Sequence, residues 1–215
     1  IASQYFGQSL TSRQLFDLCK DINIVYRTEL KDMQQLGTTS DTLLNVVQDF
    51  RLLLGNESNV RGNWRELYTQ SAVKKSFELL QEKIDFLAEV IKLALGRSQT
   101  LDSIFERVES IKIQLKRLSE TNIVGYCYWY EGNGRQFGLH ITPLTVADKF
   151  GDQLEAKEAT WIFTSATLEV GGTFNHFCQR LGIENATQKI LPSPFNYSQQ
   201  SLLCVPRYLP NTNQA

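Results

Sequence analysis

Two stretches of this chain constrain its fold more than any other feature. Val73, Phe77, Leu80, Ile84, Leu87 and Ile91 follow one another at steps of 4, 3, 4, 3 and 4 residues. Leu101, Ile104, Val108, Ile111, Leu115 and Leu118 follow at steps of 3, 4, 3, 4 and 3. Such alternation averages about 3.5 residues and keeps the apolar side chains on one seam of an α-helix. Gly96 and Arg97 lie between the two seams, so the helices must fold back antiparallel across a short turn.

Two further helices are expected upstream. The first starts at Thr11 or Ser12, whose hydroxyl can cap free backbone N–H groups, and carries Leu15, Leu18, Cys19, Ile22 and Val25 inward. Gly37 is expected to stop it. Asp41 is expected to begin the next, with Leu43, Leu44, Val47, Phe50 and Leu54 inward and Gly55 at its end. Residues 55 to 70 read as a polar loop anchored by Trp64 and Tyr68. The sum is an antiparallel four-helix bundle, or something near it.

After residue 123 the period changes, and all five prolines fall beyond position 140. Val124 to Tyr130 is aromatic and β-branched and favours a strand. Gly132, Asn133 and Gly134 form a turn, and Phe137 to Thr142 returns as the hairpin partner. Leu144 to Leu154 reads as a helix with Val146, Ala147 and Phe150 inward. Ala159 to Phe163 is expected as a short buried strand, Thr173 to Leu181 as a helix stopped by Gly182, and Leu202 to Val205 as another buried strand. Alternating strands and helices indicate an α/β sheet. The fold class expected is mainly α with an α/β part.

Composition removes several function classes. With 42% hydrophobic residues the chain can build a core. A formal net charge of -1 gives no global pull toward nucleic acid, so any such contact needs a local patch. The cysteines at 19, 127, 178 and 204 show no zinc-ribbon spacing and read as separate reduced thiols of a cytoplasmic protein. His140 and His176 are the only histidines; a two-histidine metal site stays open beside a structural role, and no metal site is assigned. No apolar run approaches the ~20 residues that span a bilayer. A chain opening on Ile and closing on Asn-Gln-Ala reads as a piece of a longer protein.

Phosphate-binding and hydrolase signatures are missing: no G-x-x-x-x-G-K-[ST], no Asp-Glu pair ending an apolar strand, no G-x-S-x-G. The informative run is Trp161-Ile162-Phe163-Thr164-Ser165-Ala166-Thr167-Leu168. Three apolar residues give way to small hydroxylated ones, at the strand end where α/β sheets place ligands. A plain Ser/Thr turn is the bland reading. Arg51, Arg61, Arg65, Trp64 and Tyr68 could make a basic, aromatic single-strand patch, and Lys112, Lys116 and Arg117 another. A solvated surface with Trp64 and Tyr68 tucked into the core is the alternative.

Thr164 to Leu168 resembles motif III of superfamily 2 helicases. Gly138-Leu-His-Ile-Thr-Pro-Leu144 resembles the segment before that motif in the DinG/XPD type, and Phe174-Asn-His-Phe-Cys-Gln-Arg-Leu-Gly182 the helix after it. Leu191-Pro-Ser-Pro-Phe195 resembles the link toward the second motor domain. S-A-T alone is a weak motif; the ordered set is specific.

The resemblance implies three parts: residues 1-123 as an Arch-like helical insertion, 124-190 as the C-terminal part of a first RecA-like motor domain, and 191-215 as link and first strand of the second. It implies ATP-driven 5′ to 3′ translocation on single-stranded or forked DNA, in repair or replication, by a longer protein. Thr164, Ser165, Ala166 and Thr167 would couple nucleotide state to domain closure, and Arg61, Trp64 and Arg65 are the candidate nucleic-acid contacts. ATP, Mg and a 4Fe-4S cluster are implied for the longer protein, not for this piece; the four cysteines do not match the cluster ligands, and the piece alone is expected to be inactive. The alternative is a helical module, without catalytic activity, that binds a protein partner or single-stranded DNA; Leu79, Phe86 and Val90 are its candidate exposed face.

Overall fold

The computed structural model describes residues 6–55 and 59–205. In chain order these form β1 (Gln8–Thr11), α1 (Ser12–Thr28), α2 (Gln34–Leu53), β2 (Val60–Asn63), α3 (Trp64–Tyr68), α4 (Ser71–Lys92), α5 (Gln99–Ser119), β3 (Tyr126–Gly132), β4 (Phe137–Pro143), α6 (Ala147–Glu155), α7 (Asn175–Leu181) and α8 (Tyr197–Gln200).

α1 begins where a capping box sets it. The Thr11 hydroxyl accepts the Gln14 N–H at 3.3 Å, and Gln14 Oε1 accepts the Thr11 N–H at 2.8 Å, so two free donors are satisfied reciprocally. α5 is capped by Ser98, whose hydroxyl accepts the Leu101 N–H at 3.2 Å. Helices α1, α2, α4 and α5 close into a ring, each packed on the next and α5 back on α1. All twelve seam residues of α4 and α5 are buried, as their spacing requires. At roughly 1.5–3 kcal/mol per fully buried large apolar side chain, that seam is the main cohesion of the bundle.

The expected stop at Gly37 and restart at Asp41 are wrong. Gly37 lies inside α2, in its first turn. A Cβ there would sit 2.8 Å from the Tyr26 ring, so the glycine lets α2 press against α1 rather than ending a helix. The expected loop at 55–70 is also corrected. It holds β2 and α3, because Val60–Asn63 pairs antiparallel with β3 and Asn63 caps α3 through its side-chain oxygen, 3.0 Å from the Arg65 nitrogen.

The hairpin β3–β4 forms in the expected place, turning at Asn133 to Gln136. It is the centre of a four-stranded antiparallel sheet of order β1-β4-β3-β2. The outer strands come from far away in sequence, ahead of α1 and between α2 and α4. Leu10, Tyr128, Phe137, Leu139 and Ile141 are buried on the inner face, in the same core as the bundle. Phe50 and Phe137 meet edge-on at 5.2 Å, and the buried Ser12 hydroxyl accepts the Phe137 N–H at 3.1 Å.

Beyond β4 the expected buried strands are not formed. Residues 159–163 belong to no strand, with Ile162 82% exposed. Leu202, Leu203 and Val205 are likewise exposed and outside any strand. A buried strand of a helix-covered sheet needs a partner strand and layers on both faces; among the described residues Phe163 packs on α6 and α7, but 159–163 pair with no strand. The helix expected from Leu144 starts at Ala147, and Val146, Ala147 and Phe150 are half-buried rather than fully inward. The sheet that does form is antiparallel.

Trp64 is fully buried, donates Nε1–H to the Leu118 carbonyl at 2.9 Å, and lies 5.3 Å from both Phe77 and Tyr68. Trp64→Ala is expected to cost about 3–5 kcal/mol in equilibrium urea unfolding. A loss below about 1 kcal/mol would show that the core closes without it.

Candidate functional site

The hydroxyl run sits on a fixed base. Phe163 packs against Phe150 of α6 at 6.2 Å and Phe177 of α7 at 5.6 Å. α6 and α7 are themselves in contact, and Gly182 makes this contact tight. Gly182 ends α7 in the left-handed conformation at φ 64°, and a Cβ on it would lie 2.3 Å from the Ala147 carbonyl oxygen. Only glycine serves both demands.

From that base Thr164, Ser165, Ala166 and Thr167 project fully exposed. Ser165 Oγ accepts the Thr167 N–H at 3.2 Å and lies 3.2 Å from Thr167 Oγ1. This is a Ser/Thr turn with its hydroxyls turned to solvent, each able to donate and accept. No side chain of a second element closes over them among the described residues.

The candidate nucleic-acid contacts do not gather into an open patch. Trp64 is sealed in the core, so its indole cannot stack on a base. Arg65 donates through Nη2 to the carbonyls of Ile123 at 2.9 Å and Tyr126 at 3.0 Å, and its guanidinium lies 4.8 Å from the Tyr128 ring. It ties α3 to the segment leading into β3. Arg51 donates to the Gly134 carbonyl, holding the hairpin turn on α2. In the second basic group Lys112 pairs with Asp85 at 3.4 Å and Glu109 at 3.2 Å. Only Arg61, Lys116 and Arg117 remain exposed. On α4, Leu79 and Phe86 are exposed as expected, but Val90 is buried.

Sequence reasoning missed a cluster on the outer face of the sheet. Register puts Ser9, His140, Trp129 and Asn63 in one row across the strands, and Thr11, Gly138, Glu131 and Arg61 in the next. His140 stacks on Trp129 with ring centroids 3.9 Å apart, and Arg61 lies 4.8 Å from the same indole. Arg61 hydrogen-bonds Glu131 at 2.8 Å, and His140 Nε2 lies 3.3 Å from the other carboxylate oxygen without the alignment of a hydrogen bond. A Cβ at Gly138 would come within 2.6 Å of His140 Nε2, so this glycine makes room for the imidazole. The signal was the alternation of Cys127, Trp129 and Glu131 with the inward tyrosines.

Burial holds the His140 imidazole below its ordinary range; Glu131 pulls the other way and is outweighed, while Arg61 adds to the depression. The Arg61 hydrogen bond holds the Glu131 carboxyl low. The native state therefore takes a proton on His140 less readily than the unfolded chain does. Its contribution to stability is complete above the unfolded value of about pH 6.5 and is lost as pH falls through the lower folded value. Glu131, also depressed, adds its loss only at more acidic pH.

No family model matches the chain. Over 214 of its 215 residues it is 96% identical to the ATP-dependent DNA helicase YoaA of Haemophilus influenzae, and over 214 residues 56% identical to the ATP-dependent DNA helicase YoaA of Escherichia coli K12. It is 25% identical over 153 residues, 64% of its length, to the ATP-dependent DNA helicase DinG of Photobacterium profundum. The chain belongs to the DinG-type helicase family. It spans about a third of the length of these two YoaA proteins.

Two outcomes test this geometry. Arg65→Ala should cost about 1–3 kcal/mol in urea unfolding, since two backbone carbonyls, that of Tyr126 part-buried, lose a charged donor, whereas the exposed Arg61→Ala should cost under about 1 kcal/mol. In a pH series of melting temperatures, His140→Gln should flatten the decline below about pH 6.5; an unchanged slope would remove His140 from the account.

Proposed function

We propose that the chain is a segment of an ATP-dependent DNA helicase of the DinG/YoaA type, moving 5′ to 3′ on single-stranded or forked DNA in repair or replication. The observation that carries this reading is the exposed run Thr164 to Thr167 at the end of an anchored apolar segment, in a chain 96% identical to a protein named as an ATP-dependent DNA helicase. In this reading residues 1–123 are an Arch-like insertion, 124–190 the C-terminal part of the first motor domain, and 191–215 the link and first strand of the second. The hairpin β3–β4 shares its inner face with the bundle, so insertion and motor meet through a common core.

Thr164, Ser165 and Thr167 act as a relay. Their hydroxyls can exchange hydrogen bonds with a second motor lobe in one nucleotide state and with water in the other, while Ala166 keeps the approach narrow. Such a switch needs two domain arrangements biased by nucleotide, and the anchored Phe163 supplies the rigid side of it. ATP and Mg belong to the rest of the protein, since this chain has no loop to cradle phosphates. The same holds for a 4Fe-4S cluster. Cys19 is buried with its thiol pushed up to about 11, and among the described residues no three His, Cys, Asp or Glu side chains gather as metal ligands. The residues here do not fit either group, and the coupling role does not depend on their holding one.

The purified chain should show no ATP turnover. In the longer protein, Ser165→Ala and Thr167→Ala should each slow unwinding about tenfold, an effect of roughly 1.4 kcal/mol, with ATP affinity nearly unchanged. Equal loss of nucleotide binding and unwinding would remove the relay.

A further inference from the structure

A cavity of about 280 Å³ opens at the end of the bundle, between the last turn of α5, the inner side of β1, β4 and β3, and α6. Its floor is aromatic. Tyr128 is buried and its hydroxyl donates to the Glu120 carbonyl at 2.9 Å, which fixes the ring. Tyr126 is half-buried, with the Lys149 ammonium 5.4 Å from its ring centroid. The exposed side chains of Arg117, Lys149 and Glu120 stand around the rim, two cations against one carboxylate. Gln8 also lines this space, and among the described residues its shielded Oε1 receives no hydrogen bond.

These features have one chemistry in common. An aromatic surface beside cations suits a nucleobase attached to a phosphate, because stacking tolerates any base and the cations take the backbone. A side-chain amide beside that surface, such as that of Gln8, can exchange hydrogen bonds with the donors and acceptors on a nucleobase edge.

We propose that this cavity binds one nucleotide of a single strand, with the base on Tyr126, an edge of the base toward the Gln8 side chain, and the flanking phosphates on Arg117 and Lys149. The assignment deepens the helicase reading and rests on it for the identity of the strand. It also replaces the contacts expected at Arg61, Trp64 and Arg65, which the fold engages elsewhere.

The test is a fluorescence-anisotropy titration of the chain with a labelled thymidine 15-mer, with thymidine monophosphate as competitor. Tyr126→Ala and Lys149→Glu should each weaken binding about tenfold, in the range of one lost stacked base, and Tyr126→Phe should retain it. Gln8→Leu should also weaken binding while the melting temperature holds or rises, which a merely structural glutamine would not do. Absence of oligonucleotide binding, or unchanged affinity in all these variants, overturns the proposal. Displacement by the monophosphate at the strand's own nucleotide concentration also overturns it, in favour of a free nucleotide. The two readings separate in the longer protein. If it unwinds DNA while its Tyr126→Ala form binds the strand at full affinity, the cavity is lost and the helicase reading stands. If it neither hydrolyses ATP nor unwinds, yet a bromodeoxyuridine strand still crosslinks at Tyr126, the helicase reading is lost and the cavity stands.

Discussion

The joining of sheet and bundle depends on Trp64. Its indole N–H holds the carbonyl of Leu118 near the end of α5, and its ring lies among Phe50, Phe77 and Tyr68. That single side chain fixes α3 against α4 and the last turn of α5 at once. Arg65, next to it, then holds the carbonyls of Ile123 and Tyr126, so the chain leaves α5 in the direction that starts β3. Position of the hairpin, and of the cavity beneath it, follows from these two neighbours.

Where a residue's burial depends on its own helix, the sequence told it plainly. The seams of α4 and α5 and the cap at Thr11 are local patterns, and each lies where its spacing puts it. What escaped were features requiring a distant partner. Val60 to Asn63 has little strand character of its own and becomes β2 only because β3 offers an open edge. Gly37 looked like a helix terminator until the Tyr26 ring occupied the space a Cβ would need. The stretch at 159–163 failed in the opposite sense: its apolar run is that of a strand buried on both faces, and such burial needs layers that the described residues do not supply.

The candidate site divides along the same line. The hydroxyls of Thr164 to Thr167 were legible as a small, polar interruption after an apolar run, and they are exposed. The ties of the arginines were not legible, because charge in a sequence does not reveal whether a carbonyl or a carboxylate already waits for it. Arg51, Arg61 and Arg65 each have an intramolecular acceptor, whereas Arg117 and Lys149, far apart in the chain, stand around one opening. Tyrosine alternation in β3 was read as strand propensity; its second meaning, an aromatic floor, needed the sheet's handedness and the end of α5.

The pairing of β1 with β4 places Gln8 opposite Ile141. Everything between those two positions, bundle and hairpin together, is therefore a closed excursion whose two ends lie side by side. A host fold joined at that seam would feel only a pair of adjacent strands, however large the lobe beyond them grew.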